Sequence, residues 1–409
     1  MPHFHTTQPQ DFGLPLKSGE YEFVCKFTHT HNPTQRLILV RYKTQEFFIR
    51  ESVRDRTLYK CEKSTRIEPI GVIKDALGIL CAHSSAVLGH NLSHNTPRQR
   101  TQSPFLLSRT QTYEFVLHHK KPLSIEVGFG SGRHLLDLAT QNPNELFLGL
   151  EIHTPSIEQV LRQIKLLGLT NLYISHIDAR ILLQLIPDAS LKNLYVHFPV
   201  PWHKKPHRRV ISPRFLHHVM RVLVCDENHT PSPQSGFLHL RTDDREYFDY
   251  ALRVALDLPK VKVLVEKNLD LPIVSKYEAR WRREKKEIFD SKIFAPLLTT
   301  NIQKSLQNGD FVFCGVYGNM VRSIENLIAL PALPKIVKKD YFLHIDAIYK
   351  HDEGYVVALC LGDFDEPQNA FVLLQNGVAR YLNAPPLPTQ ATIAAHRLFT
   401  HILESKDKS

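Results

Sequence analysis

Residues 105–300 predict an open, doubly wound α/β sheet with helices on both faces, flanked by two smaller strand-rich extensions. Three observations carry that prediction. Short apolar runs of strand length recur along this stretch, amphipathic segments at helical spacing separate them, and a glycine-rich turn joins the first run to the first segment.

The elements follow in order. Before the sheet, YEFVCKFTH (21–29), RLILVRYKT (36–44) and EFFIRES (46–52) carry the β-branched and aromatic residues of strands, and 70–88 reads as a helix. The polar, proline-punctuated HNLSHNTPRQRTQSP (90–104) has the composition of a linker. The sheet strands are SIEVGFG (124–130), LFLGLEI (146–152), NLYISHID (171–178), NLYVHFP (193–199) and GFLHLRTD (236–243), each suited to burial on both faces. Between them lie helical patterns at 132–141 and 156–168. In the second, Ile157, Val160, Leu161, Ile164 and Leu167 share a stripe, and Gly168 is placed to end it. Beyond 305, FVFCGVYG (311–318), YFLHIDAIYK (341–350), YVVALCLGD (355–363) and AFVLLQNG (370–377) read as strands, and 391–405 as a helix. The expected domains are 1–100, 101–300 and 301–409.

Composition narrows the class. With 409 residues, 43% hydrophobic and 22% charged, the chain is globular rather than disordered, and it holds no apolar run near the roughly 20 residues of a membrane span. MPHFHTTQPQ lacks a charged-then-apolar signal pattern, so a cytoplasmic location is expected. The six cysteines form no C-x-x-C pair, which argues against zinc knuckles and a disulfide framework. HTHTH (28–32) reads as a polar tract beside a strand, and no metal is expected. A net charge of +10 favours a polyanionic partner.

The glycine turn reads Glu126-Val-Gly128-Phe-Gly130-Ser-Gly132. A dinucleotide fingerprint would place a third glycine at 133, where Arg133 stands, which disfavours nicotinamide and flavin cofactors. The second strand ends in Glu151 and the third in Asp178-Ala179, so three acids share the carboxyl edge where such sheets bind ligands. A phosphate-bearing cofactor would be repelled by that rim. S-adenosylmethionine, with its cationic sulfonium and ammonium, fits: Glu126 for the ammonium, Glu151 for the ribose hydroxyls, Asp178 for the adenine amino group.

The fourth strand runs into HFPVPWHKKPHRR (197–209), whose prolines stiffen the edge of the crevice and whose Lys204, Lys205, Arg208 and Arg209 are expected at its mouth, along a phosphate backbone. This run, with EVGFGSG, GLEIHTPSI and NLYISHIDA, resembles the bacterial tRNA (guanine-N7)-methyltransferases of the TrmB type, continuously over about 120–220 and patchily to about 296. The resemblance implies a Rossmann-like class I methyltransferase sheet, S-adenosylmethionine as cofactor and a guanine in tRNA as substrate, with guanine 46 of the variable loop the expected site. It implies cofactor contacts from Glu126, Gly128, Gly130, Gly132, Glu151, Asp178 and Ala179. Substrate contacts are implied for Lys204, Asp243, Ser275, Lys276, Tyr277 and Glu278. A monomer is expected.

One position departs from the pattern. The family's motif reads F-F-P-D-P-W, and its aspartate is Val200 here. Guanine N7 carries a lone pair and no proton, so no general base is obligatory, and positioning can supply most of the catalysis. Losing one preorganised carboxylate costs on the order of 10²-fold. Reduced or rewired activity is therefore expected, with Asp243 or Asp244 as the substitute. Two other readings stay open: a tRNA-binding protein whose catalysis lapsed with Val200, and an oxidoreductase on the same fold.

Overall fold

A computed structural model describes residues 2–92, 103–225, 235–259, 261–270, 283–284, 286–294, 311–352 and 354–404. The chain forms two compact units, Met1–Gln102 with Leu306–Ser409, and Ser103–Ser305.

The central unit is the expected sheet. Its strands are β1 (Leu123–Val127), β2 (Leu146–Leu150), β3 (Leu172–Ser175), β4 (Leu191–His197), β5 (Phe237–Thr242), β6 (Lys262–Lys267) and β7 (Phe289–Phe294). They lie in the order β3-β2-β1-β4-β5-β7-β6, with Leu106–Leu107 beyond β3. β1 to β5 run parallel, whereas β7 is antiparallel to both β5 and β6. The order reverses between β1 and β4, so the crevice outside their carboxyl ends is the place where a doubly wound sheet takes its ligand.

The helices are α1 (Arg133–Gln141), α2 (Thr154–Leu167), α3 (Ala179–Leu183), α4 (Pro213–Val222) and α5 (Arg245–Leu256). α1 buries Leu135, Leu136 and Ala139, and α2 buries Ile157, Val160, Leu161 and Ile164 in the same apolar cluster. Leu167, counted on that stripe from the sequence, is exposed, because α2 ends there on Gly168 at φ 64. Gly168 donates its N–H to the Ile164 and Lys165 carbonyls, and the chain turns away before Leu167 can face the sheet.

The flanking regions, read from the sequence as separate, share one sheet of 12 strands. The join is antiparallel pairing of Phe342–His351 with Tyr21–His29, in the register Tyr349↔His29 and Lys350↔Thr28. A common cluster then buries Phe27, Leu37, Leu39 and Phe48 with Tyr349, Val356, Phe371 and Leu373. An unpaired edge is a liability that each half relieves for the other.

Two segments fold differently from expectation. The helix expected over 70–88 stops at Ala82, and Val87–His90 instead pairs with His3–Thr6 as a strand. FVFCGVYG (311–318) is not a strand: Phe311 and Phe313 pack on Tyr381 and His396, and a helix begins at Tyr317. The contacts that its alternation promised are made with a helix and a strand end rather than across a ladder.

Candidate active site

The site grows from the turn between β1 and α1. Gly128, Gly130 and Gly132 all have positive φ, at 71°, 53° and 70°. At Gly132 the need is twofold, since a Cβ there would also stand 2.3 Å from Cγ2 of Val160. The close approach seats α1 on α2 and fixes the turn against the sheet edge. An added Cβ at Gly128, in contrast, would meet nothing within 4 Å, which marks open space at the end of β1.

Each of the three acids has a defined setting. Glu126, at the end of β1, is buried, and its Oε2 accepts from Nδ1 of His134 at 3.0 Å. Glu151, just past β2, accepts backbone N–H groups from Gly130 (3.1 Å), Ile152 (2.7 Å) and His153 (3.0 Å). A carboxylate offers about four lone-pair sites, so one remains for a ribose hydroxyl. Asp178 caps α3 by accepting from Arg180 N at 2.9 Å, and its two oxygens also take Arg180 Nε at 3.0 Å and Nη2 at 2.7 Å. Ala179 is buried as the first residue of α3.

The segment after β4 is a folded lip. Phe198 and Trp202 adopt φ of 50° and 48°, a strained region for side-chain-bearing residues. Phe198 N–H donates to Arg241 O at 2.7 Å, tying the lip to β5. Val200 is 59% exposed at its tip. Lys204, Lys205, His207 and Arg208 are exposed, and Arg208 lies 5.3 Å over the Trp202 ring.

Arg209 corrects the sequence reading. Expected at the mouth beside a phosphate backbone, it is only 5% exposed and folds back beneath the lip. Its Nε donates to Pro201 O at 2.8 Å, its Nη2 to Glu246 Oε1 at 2.6 Å, and its guanidinium lies 4.8 Å from the Tyr250 ring. Those partners on α5 and the lip hold it inward. His203 clamps the same place, with Nε2 2.9 Å from Asp244 and Nδ1 3.0 Å from Glu246. Asp244 also caps α5 through Tyr247 N at 2.7 Å, and Asp243 pairs with Lys286 at 3.0 Å. Both acids therefore already have partners. Ser275, Lys276, Tyr277 and Glu278 lie outside the described residues.

Sequence reasoning missed a row of polar side chains across the sheet. His197 ends β4 on the face that carries Tyr195, and its Nε2 lies 3.1 Å from Nδ1 of His239 on β5. His239 Nε2 lies 3.0 Å from Asp290 on β7, which also accepts from Arg241 Nη1 at 2.6 Å. On the other side, the His134 and His197 rings are 4.4 Å apart. Buried parallel strands are ordinarily apolar on both faces, so Tyr195/His197 and His239/Arg241 at i, i+2 were the available signal. Burial, with His134, His239 and Arg241 close by, pushes the His197 imidazole well below the ordinary histidine range. Burial lowers His239 as well, although Asp290 opposes the shift. Glu126, His134 and His197 each place a donor atom within 4.8 Å of the others, a set that a divalent cation could use.

Known proteins resemble this chain in sequence over its whole length. The family described as putative methyltransferase matches residues 120–291. A tRNA (guanine-N(7)-)-methyltransferase of Helicobacter hepaticus is 46% identical over 98% of this chain and 99% of its own length. One from Campylobacter jejuni is 32% identical over 100% of both chains. The chain belongs to the tRNA (guanine-N7-)-methyltransferase family. Among solved structures, the 16S rRNA methyltransferase KamB matches 46% of this chain and 94% of its own, at 14% identity and a TM-score of 0.33.

Methyltransferases of this family use S-adenosylmethionine, and the site fits it. The open space beside Gly128, the buried Glu126 carboxylate and the free acceptor site on Glu151 match an ammonium, a methionine chain and a ribose diol. A dinucleotide pyrophosphate would meet this acidic rim instead. Among the described residues no helix is long and apolar enough to cross a membrane.

Proposed function

We propose that this protein methylates N7 of a guanine in tRNA, with guanine 46 of the variable loop as the target, in the cytoplasm and as a monomer. In this reading Glu126, Glu151 and Asp178 with Ala179 and the three glycines hold the cofactor, and Lys204 with the neighbouring exposed cations holds the tRNA backbone. When bound, S-adenosylmethionine supplies an electrophilic methyl group. Attack by the N7 lone pair on that carbon would return the C–S electrons to sulfur and leave the purine with one positive charge, with no proton moved. What the chain must supply is alignment of N7 with the methyl and acceptors for the charge that develops.

The observation that carries this reading is a clamped lip with an exposed cationic face, at the end of the strand next to the acid-lined turn. Methyl transfer from labelled S-adenosylmethionine to unmodified tRNA, with aniline cleavage to map the methylated guanine, tests it. Cleavage at one guanine supports the reading, and binding without methylation sinks it. Val200 at the lip tip favours a second reading, a tRNA binder with weak or lapsed catalysis. Under that reading only Val200→Asp would methylate.

A further inference from the structure

The acid missing at position 200 leaves a question for the proposed reaction: which group receives the charge that builds on the purine? Asp243 and Asp244 are engaged with Lys286 and with His203 and the α5 amino end. The Val200 side chain offers no polar atom. The lip sits on His197, the last residue of β4, which is partly exposed at the floor of the crevice.

The hydrogen bonds fix what that imidazole presents. Asp290, held by Arg241, accepts from Nε2–H of His239. A neutral His239 then has a bare Nδ1, which can only accept, so His197 must donate from Nε2. That leaves His197 Nδ1 without a hydrogen, an acceptor on the side away from His239. The chain is directional, with each group oriented by the next, and it ends on a carboxylate clamped by a guanidinium. His134, whose ring lies against His197, points its own Nδ1 to Glu126 and so ties the acceptor to the floor of the cofactor site.

We propose that His197 is the substrate-contacting acceptor of this enzyme, oriented by His239 and Asp290, and that it stands in for the carboxylate absent at position 200. This rests on the N7-methyltransferase reading above. Its Nδ1 takes a hydrogen bond from the N–H edge of the guanine, the N1–H or the 2-amino group. Those protons become more acidic as positive charge spreads from N7, so the bond strengthens between ground state and transition state. No proton leaves the purine, and the methyl transfer balances as written. His239 and Asp290 are positioning residues, since they reach the purine only through His197.

His197 matches the first phenylalanine of the family's F-F-P-D-P-W, so His197→Phe is the variant with the best fit to the packing. With wild type methylating its guanine, His197→Phe should lower kcat by about 10²-fold. S-adenosylhomocysteine affinity by calorimetry should stay within about threefold of wild type, since its contacts are untouched, and tRNA affinity should fall by less than about tenfold, since phosphate contacts supply most of it. The double variant His197→Phe/Val200→Asp should regain most of that loss by restoring a carboxylate on the lip. His239→Phe should lower kcat and leave KM for tRNA unchanged. A wild type without N7 methylation defeats the functional reading itself. A methylating wild type with an equally active His197→Phe defeats only the present proposal. So would stoichiometric Co(II) or Zn(II) binding that His197→Phe abolishes, because a metal-bound Nδ1 cannot accept from a base.

Discussion

Removing the Arg209 guanidinium while keeping its apolar stem, as in Arg209→Met, should release the lip. The side chain donates to Pro201 O at 2.8 Å and sits 4.8 Å from the Tyr250 ring. A charged donor to a carbonyl contributes about 1.5–3 kcal/mol, and a cation over a tyrosine about 0.5–2 kcal/mol when shielded from water. Water can replace part of the first, so the clamp contributes about 2–3 kcal/mol. Phe198 and Trp202 hold positive φ, at about 1–2 kcal/mol each, so the strain of the folded lip is of similar size. Loss of the clamp therefore brings folded and relaxed lips near balance. With about half the molecules then holding the folded lip, kcat/KM for tRNA should fall by about two- to threefold. Affinity for S-adenosylhomocysteine should hold within twofold, because the acids and glycines are untouched. Hydrogen exchange over 198–205 should rise. Unchanged exchange together with unchanged kcat/KM would show that the prolines alone hold the lip and would refute the clamp.

Other perturbations test the frame around it. Gly132→Ala faces both a positive φ of 70° and the 2.3 Å approach to Val160, so a loss of about 2–4 kcal/mol is expected, read as a lower denaturation midpoint and weaker S-adenosylhomocysteine binding. For pH, burial lowers the His197 and His239 values in the folded state, so below the unfolded value of about 6.5 the unfolded chain binds more protons. Stability should be fully present above that pH and fall as pH drops below it, by at most about 1.4 kcal/mol per pH unit per histidine. Thermal melts from pH 7.5 to 5 check this, and His197→Phe should flatten the decline. In the flanking unit, Glu51 is fully buried between Lys26, Arg36 and the Tyr59 hydroxyl. Glu51→Ala should cost about 3–5 kcal/mol, because it leaves two cations without their buried partner; urea unfolding with a fluorescence readout would show a sizeable drop in midpoint.

How much of this could be read from the sequence differs by region, for physical reasons. The strands of the central sheet were legible because parallel strands are buried on both faces and read as short apolar runs; LFLGL needs no partner to identify it. The stop at Gly168 was legible because a left-handed cap is a local property of glycine. Pairing between Phe342–His351 and Tyr21–His29 was not, since nothing local in either strand names a partner some 300 residues away. FVFCGVYG misled because alternating aromatic residues describe one-sided burial, and one-sided burial against a helix looks the same. Of the four lip cations, Arg209 alone turned inward. Its partners Glu246 and Tyr250 are on α5, more than 35 residues on, so composition could not separate it from Arg208.

The position of the missing carboxylate shows what a sheet edge permits. A residue on the lip reaches far into the crevice, but its placement depends on a strained turn held by one arginine and one histidine. A residue that ends β4 reaches less far, yet its backbone is fixed by the parallel ladders to β1 and β5, Val196 to Val127 and His197 to Arg241. Moving the acceptor three residues back, from 200 to 197, exchanges reach for rigidity, and it needs an orienting partner because an imidazole can present either nitrogen. The strand next door supplies His239, and the antiparallel strand beyond it supplies Asp290. If the acceptor has moved in this way, Val200 is free to be apolar, and the two positions should be interchangeable in function but not additive. A Val200→Asp single variant should therefore gain less than a factor of about three over wild type, while the same change in the His197→Phe background gains about 10².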